Sequence, residues 1–299
     1  MIKQRLQLEV GGAHLAYTLF KKTPLRKPLP QEFADYEGVG EEKKTLLLLH
    51  GAGVAGELTW TFIVNYLKHW DEILVPDLLG MGDSYFDQND KLQFSIEDIC
   101  NTLLSLLHHH HCLEFDLVGY SLGGLVALEL NKELVPDFHI KKMCLIEPAL
   151  FSDQSLQAAL LFRNAFTPIA ANIKSQPENS QHFLDFLNLV SPKRKRSEQM
   201  DSHAVKRLQQ RPHGFANALA AVSNYAERLD EQKLRLLIEA IPAGIGIVGG
   251  LSSPGLLQAQ QNIQQTQSNW HIETLANADH SLVYVRPKVV AQLLNQYLA

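Results

Sequence analysis

Short apolar runs alternate with stretches of helical periodicity along most of this chain, and that alternation leaves few folds open to it. The runs "TLLLLHG" (45–51), "EILVPD" (72–77), "EFDLVGY" (114–120), "KKMCLIE" (141–147), "AGIGIVGG" (243–250) and "WHIETL" (270–275) have the length of strands. Most are apolar on both faces, as strands are when helices cover the sheet above and below. An opening pair, "QRLQLEV" and "HLAYTLF", precedes them. The intervening stretches 59–70, 95–111, 123–134, 254–267 and 286–298 read as helices. The clearest is "SIEDICNTLLSLLHHHH": Ser95 stands as N-cap with Asp98 three residues on, and Ile96, Ile99, Leu103, Leu106 and Leu107 fall on one face. In the last helix Pro287 suits a first turn, and Val290, Leu293, Leu294 and Tyr297 form the apolar face. The expected fold class is α/β, a mostly parallel sheet with helices on both sides.

Two segments break the alternation. Residues 21–43 carry three prolines and many charges and read as a long surface loop. Residues 149–240 have no convincing strand but several helical stretches, such as "QSLQAALLFRNAF" and "GFANALAAVSNYAERL". The expected organisation is a core of residues 1–148 and 241–299 with a helical lid, 149–240, inserted after the sixth strand.

With 299 residues, 45% apolar and 20% charged, the chain has enough material for one large buried core. Its start, "MIKQRLQLEV", alternates and lacks the continuous apolar core of a signal peptide. No run reaches membrane-spanning length. The three cysteines, Cys100, Cys112 and Cys144, are odd in number and widely spaced, which argues against a disulfide framework and for a reducing, cytoplasmic setting. A net charge of −5 and the lack of a recognisable binding module argue against nucleic acid.

The chemistry is carried by "LVGYSLGG" (117–124), in which Ser121 follows an apolar strand and opens a helix. A nucleophilic serine on such a turn adopts a strained backbone, so the residues two before and two after must be small. They are Gly119 and Gly123. The turn would expose Oγ above the sheet and aim the Leu122 N–H, at the positive helix terminus, toward a developing oxyanion. "LLLLHGAG" offers a second donor, the Ala52 N–H.

These residues resemble the α/β-hydrolase superfamily, specifically its lid-bearing serine hydrolases. The resemblance rests on "HGAG" with Trp60 downstream, "PDLLGMGDS" (76–84), "GYSLGG" and "ADHSLVYVRP", and it spans nearly the whole chain. It implies the α/β-hydrolase fold, a serine nucleophile and a catalytic histidine at His280, between the last strand and the last helix. His50 resembles the family's loop-orienting histidine, and Asp77 organises its own turn.

The departure from the family pattern is the third catalytic member. Most relatives carry an aspartate soon after the strand represented by "GIGIVGG", but this chain continues "LSSPG", with the uncharged Ser252 and Ser253. Three arrangements compete: an acid relocated to Glu147 at the end of the preceding strand, a Ser121–His280 dyad, and a fold that binds without catalysing. Glu147 is the expected acid, although it could instead cap the start of the lid beside Pro148. Asp279 adjoins His280 in sequence but points elsewhere on most backbones.

The expected activity is hydrolysis of a small carboxylic ester or thioester by Ser121, His280 and Glu147, with no metal or organic cofactor. A ligand-binding protein on the same fold and a C–C bond hydrolase or lyase remain open. Phe183 and Phe186 of the lid are candidates to line an acyl pocket. The "HHHH" at 108–111 reads as a solvated helix end rather than a metal site. Residues 149–240 hold 12 basic and 9 acidic groups, net +3, with "KRKR" at 193–196 as a solvated loop or a device to steer an anionic substrate.

Overall fold

The computed structural model describes residues 1–22, 43–86, 92–133, 138–150, 155–194 and 197–299. Nearly all of the long loop expected at 21–43 lies outside these residues, as do Lys195 and Arg196.

Eight strands form one sheet: β1 (Ile2–Val10), β2 (Ala13–Lys21), β3 (Thr45–Leu49), β4 (Glu72–Pro76), β5 (Glu114–Tyr120), β6 (His139–Ile146), β7 (Gly244–Gly249) and β8 (Trp270–Leu275), in the order β1-β2-β4-β3-β5-β6-β7-β8. The β1–β2 and β2–β4 pairs are antiparallel and the remaining pairs are parallel. Every residue of β3, β4 and β7 is buried, as the runs of apolar side chains require once helices lie on both faces. β1, at the edge, turns only Leu6, Leu8 and Val10 partly inward.

On one face lie α2 (Ile96–His109), α3 (Leu122–Glu133) and α10 (Pro254–Thr266); on the other lie α1 (Gly56–Val64) and α12 (Pro287–Tyr297), each face holding its own apolar cluster. The α2 N-terminus has the reciprocal bonds of a capping box between Ser95 and Asp98, and its five apolar positions are fully buried. The α1 helix begins three residues before the sequence pattern suggests and stops at Val64. Its start is set by a distant group, because the Gly56 N–H donates to Asp77 Oδ1 at 2.8 Å. Asp77 also accepts the Asp83 N–H at 2.9 Å and pairs with Arg5, so this buried carboxylate holds the turn together.

Between β6 and β7 the chain forms α4 (Leu156–Asn164), α5 (Phe166–Ser175), α6 (Ser180–Val190), α7 (Glu198–Leu208), α8 (Pro212–Glu227) and α9 (Glu231–Glu239). A separate apolar cluster unites α5, α6, α7 and the start of α8. The later part of α8, from Ala218 to Ala226, joins the main core. α9 packs against α3 and α10. Among the described residues no helix is long and apolar enough to cross a membrane.

Candidate active site

The turn between β5 and α3 raises Ser121 above the sheet with φ +54°, in the left-handed region. Non-glycine residues adopt that region rarely, and surrounding structure must hold them there. Here the Ser121 N–H donates to the Ile146 carbonyl at 3.0 Å, and the Ser121 carbonyl accepts from Gly124 and Ala149. The tightness of the turn explains its glycines. A Cβ on Gly119 would fall 2.4 Å from the Gly123 carbonyl oxygen, and one on Gly123 would fall 2.4 Å from that of Leu49.

His280, in the segment between β8 and α11 (Leu282–Val285), brings Nε2 to 3.1 Å from Ser121 Oγ. Its Nδ1 lies 2.6 Å from Glu147 Oε2. An ionised carboxylate can only accept, so Nδ1 carries the proton and Nε2 is free to accept from the serine hydroxyl. The Glu147 side chain is fully shielded from solvent, and its other oxygen accepts the Gly249 N–H at 2.7 Å. Glu147 has φ +44°, a second left-handed residue, at the point where the chain leaves β6. Ser121, His280 and Glu147 are thus joined in one hydrogen-bonded line across three strand ends.

The serines after β7 lie apart from that line. Ser253 is exposed at the N-terminus of α10, while the buried Ser252 Oγ has no hydrogen-bond partner among the described residues. Asp279 accepts the Ser281 N–H at 2.8 Å and does not approach the imidazole nitrogens. His50 is fully buried between the Gly51 carbonyl, 2.7 Å from Nδ1, and the Leu78 N–H, 2.8 Å from Nε2. Burial lowers its pKa below the ordinary histidine value and keeps it neutral, a geometry for holding a loop rather than moving a proton.

The Ala52 and Leu122 N–H groups make no hydrogen bond among the described residues. The loop carrying Ala52 lies close to the serine, since a Cβ on Gly51 would come within 3.2 Å of Ser121 Cβ. Sequence reasoning overlooked Tyr120, whose hydroxyl donates to the His280 carbonyl at 2.8 Å and whose ring lies 5.2 Å from the imidazole. Burial, with Tyr284 and Glu147 nearby, raises its pKa well above the usual phenol value, so the hydroxyl remains a donor. Tyr284, which packs edge-on against Tyr120, carried no signal beyond its place four residues after His280.

A cavity of about 560 Å³ opens above Ser121 and His280, between the sheet ends and helices α6 and α7. Phe186 lines it. Phe183 does not, which corrects its assignment to an acyl pocket: it is fully buried, with its ring stacked on Phe215 inside the apolar cluster of α5 to α8. Phe186 packs edge-on against the same Phe215 ring and also borders the cavity. Phe183→Ala should therefore destabilise the fold by about 3 to 5 kcal/mol in urea unfolding. Phe186→Ala should instead shift the preferred acyl length of ester substrates, read as kcat/KM over a chain-length series.

The histidines at 108–110 diverge: His108 packs on Phe138, and His110 Nε2 lies 3.1 Å from the Tyr17 hydroxyl. Among the described residues no cluster of three histidine, cysteine or acidic groups is arranged to hold a metal.

Comparison with known proteins agrees with this architecture. A model of the alpha/beta hydrolase family matches residues 46–293, most of the chain and all of the site. The chain belongs to that family. A curated relative, the magnesium-chelatase 30 kDa subunit of Rhodobacter capsulatus, is 32% identical over 85 residues, covering 28% of this chain and 29% of its own. The matched region spans between 29% and 42% of the length of the curated relatives. Among solved structures, an esterase from Exiguobacterium antarcticum superimposes with TM-score 0.74 at 12% identity, covering 99% of both chains. The enol-lactonase of Burkholderia xenovorans LB400 gives TM-score 0.68 at 16% identity, over 98% of this chain and 99% of its own. At such identities the likeness to these family members is one of fold.

Proposed function

We propose that this protein is a serine hydrolase that cleaves a small carboxylic ester or thioester through an acyl-enzyme. The observation that carries the reading is the hydrogen-bonded line from Ser121 through His280 to Glu147 beneath a cavity large enough for a small substrate. His280 takes the Ser121 proton as Oγ attacks the carbonyl carbon, and returns it to the departing alcohol or thiol. Water, activated by the same imidazole, then releases the acid. Glu147 holds the imidazole tautomer and stabilises the imidazolium that forms in each step. The Ala52 and Leu122 N–H groups, free of partners among the described residues, are the donors for the tetrahedral oxyanion. All the groups this reaction needs are side chains and backbone amides, without a metal or organic cofactor. Resemblance in fold to an esterase and an enol-lactonase, both acting on acyl–oxygen bonds by their names, is compatible with it.

A fluorophosphonate probe tests the proposal directly. Covalent labelling of the folded protein, mapped by peptide mass spectrometry, is expected at Ser121 alone. A folded protein that resists labelling would favour a binding role on this fold, and labelling elsewhere would remove Ser121 as the nucleophile.

A further inference from the structure

The cavity above Ser121 contains an arginine whose hydrogen-bonding capacity the protein leaves largely unused. Arg194, the second residue of the basic "KRKR" run, turns inward: its side chain is only 9% exposed and lines the cavity. Nη2 donates to Asn188 Oδ1 at 3.0 Å and, more weakly, to Asp201 at 3.4 Å. Nε and Nη1 are shut off from solvent, and neither has a hydrogen-bond partner among the described residues. A guanidinium keeps its charge at every physiological pH, and a buried donor without an acceptor is an unfavourable arrangement that calls for an explanation.

A second arginine, Arg207 on α7, lines the same cavity. Its guanidinium lies over the Tyr284 ring, 5.0 Å from the centroid, and forms no ion pair among the described residues. Arg286 is the third cation of the wall. Against these three stand two carboxylates: Asp201, shared with Arg194, and Asp279, which accepts the Ser281 N–H. Glu147 lies behind His280 and is not part of the cavity lining.

We infer that the substrate bears a free carboxylate, held by Arg194 and Arg207 while its ester or thioester carbonyl lies at Ser121. The planar guanidinium suits a carboxylate, and a small side-chain adjustment at Arg194 would bring its unused N–H groups to the ligand. Phe186, Leu187 and Val190 provide apolar contact for the carbon chain between the two ends. The ester part of this inference rests on the hydrolase proposed above; the anion site does not.

The test compares p-nitrophenyl hemiesters of succinate, glutarate and adipate with uncharged esters of matched chain length. At the best length the wild-type kcat/KM should favour the hemiester by about tenfold or more, as a charge-assisted pair allows. Arg194→Gln and Arg207→Gln should each erase most of that preference through KM while changing turnover of the uncharged ester by less than about threefold, because only the charged end meets them. Arg194→Lys should keep part of it, and with Arg207→Gln carries the comparison if Arg194→Gln does not fold. A wild type indifferent to the carboxylate, or variants that depress both ester classes alike, would overturn the inference. Calorimetric titration of Ser121→Ala with the glutarate hemiester separates the two proposals. Binding that weakens in the arginine variants upholds the anion site even if the wild type hydrolyses nothing. Binding indifferent to the arginines would overturn it.

Discussion

Ser121→Ala should lower kcat for short p-nitrophenyl esters by about 10⁶, the loss seen when serine proteases forfeit their nucleophile. Because Ser121 Oγ bonds only to His280 among the described residues, the hydroxyl contributes little to the fold. Alanine also has a Cβ, so it bears the same strain at φ +54° and neither relieves nor worsens the turn. The melting temperature should therefore stay within a few degrees of the wild type, since an exposed or singly bonded hydroxyl is worth about 1 kcal/mol. Steady-state kinetics beside a thermal melt check both halves. Near-normal hydrolysis by a folded Ser121→Ala protein would remove the nucleophile assignment.

Glu147→Gln should reduce kcat by roughly 10² to 10⁴ at neutral pH. Both partners of this carboxylate are donors: His280 through Nδ1–H to Oε2 and Gly249 through its N–H to Oε1. A glutamine supplies one carbonyl oxygen and one amino group, so either Gly249 or His280 faces a donor. If the amide NH₂ faces His280, it favours the wrong tautomer, with the proton on Nε2 and no lone pair there to accept from Ser121. The imidazolium also loses its counter-charge. The buried mismatch should cost about 1 to 3 kcal/mol of stability, so melts must accompany the kinetics.

The same geometry indicates where the acid could be restored. Ser252 Oγ is buried without a hydrogen-bond partner among the described residues, and it lies 2.9 Å from where a Cβ would stand on Gly249, the residue whose N–H holds Glu147. Ser252→Asp in the Glu147→Gln background should recover part of the lost kcat. Ser253→Asp should not, because Ser253 is exposed at the α10 terminus. Ser252→Ala by itself should be nearly silent. A folded Glu147→Gln protein with wild-type turnover would sink the role given to Glu147.

Much of the fold was legible because its signals are local. Burial between helices makes a parallel strand a short apolar run, and the six strands joined in parallel, β3 to β8, appear where the runs stand. The Ser95 capping box needs only residues three apart. The requirement at Gly119 is equally local, since a Cβ there would meet Gly123 and Gly124 of the same turn, whereas Gly123 is required by the Leu49 carbonyl on the strand beside it. The start of α1 was not, because Asp77, twenty-one residues away, holds its first N–H.

The sequence by itself therefore determined the alternating architecture, the place of the serine turn and the order of the motifs around it, all of which are written as patterns spanning a few residues. Only the tertiary structure decided which groups meet across the strand ends. Glu147 and His280 are separated by 133 positions, and no periodicity reports that β6 and β8, on either side of β7, bring them to 2.6 Å. The inward turn of Arg194 within a charged run, and the position of Phe186 but not Phe183 at the cavity wall, were likewise set by packing. A charge or an aromatic ring has the same local signature whether it faces solvent, a core or a substrate, and only its neighbours in space tell these apart.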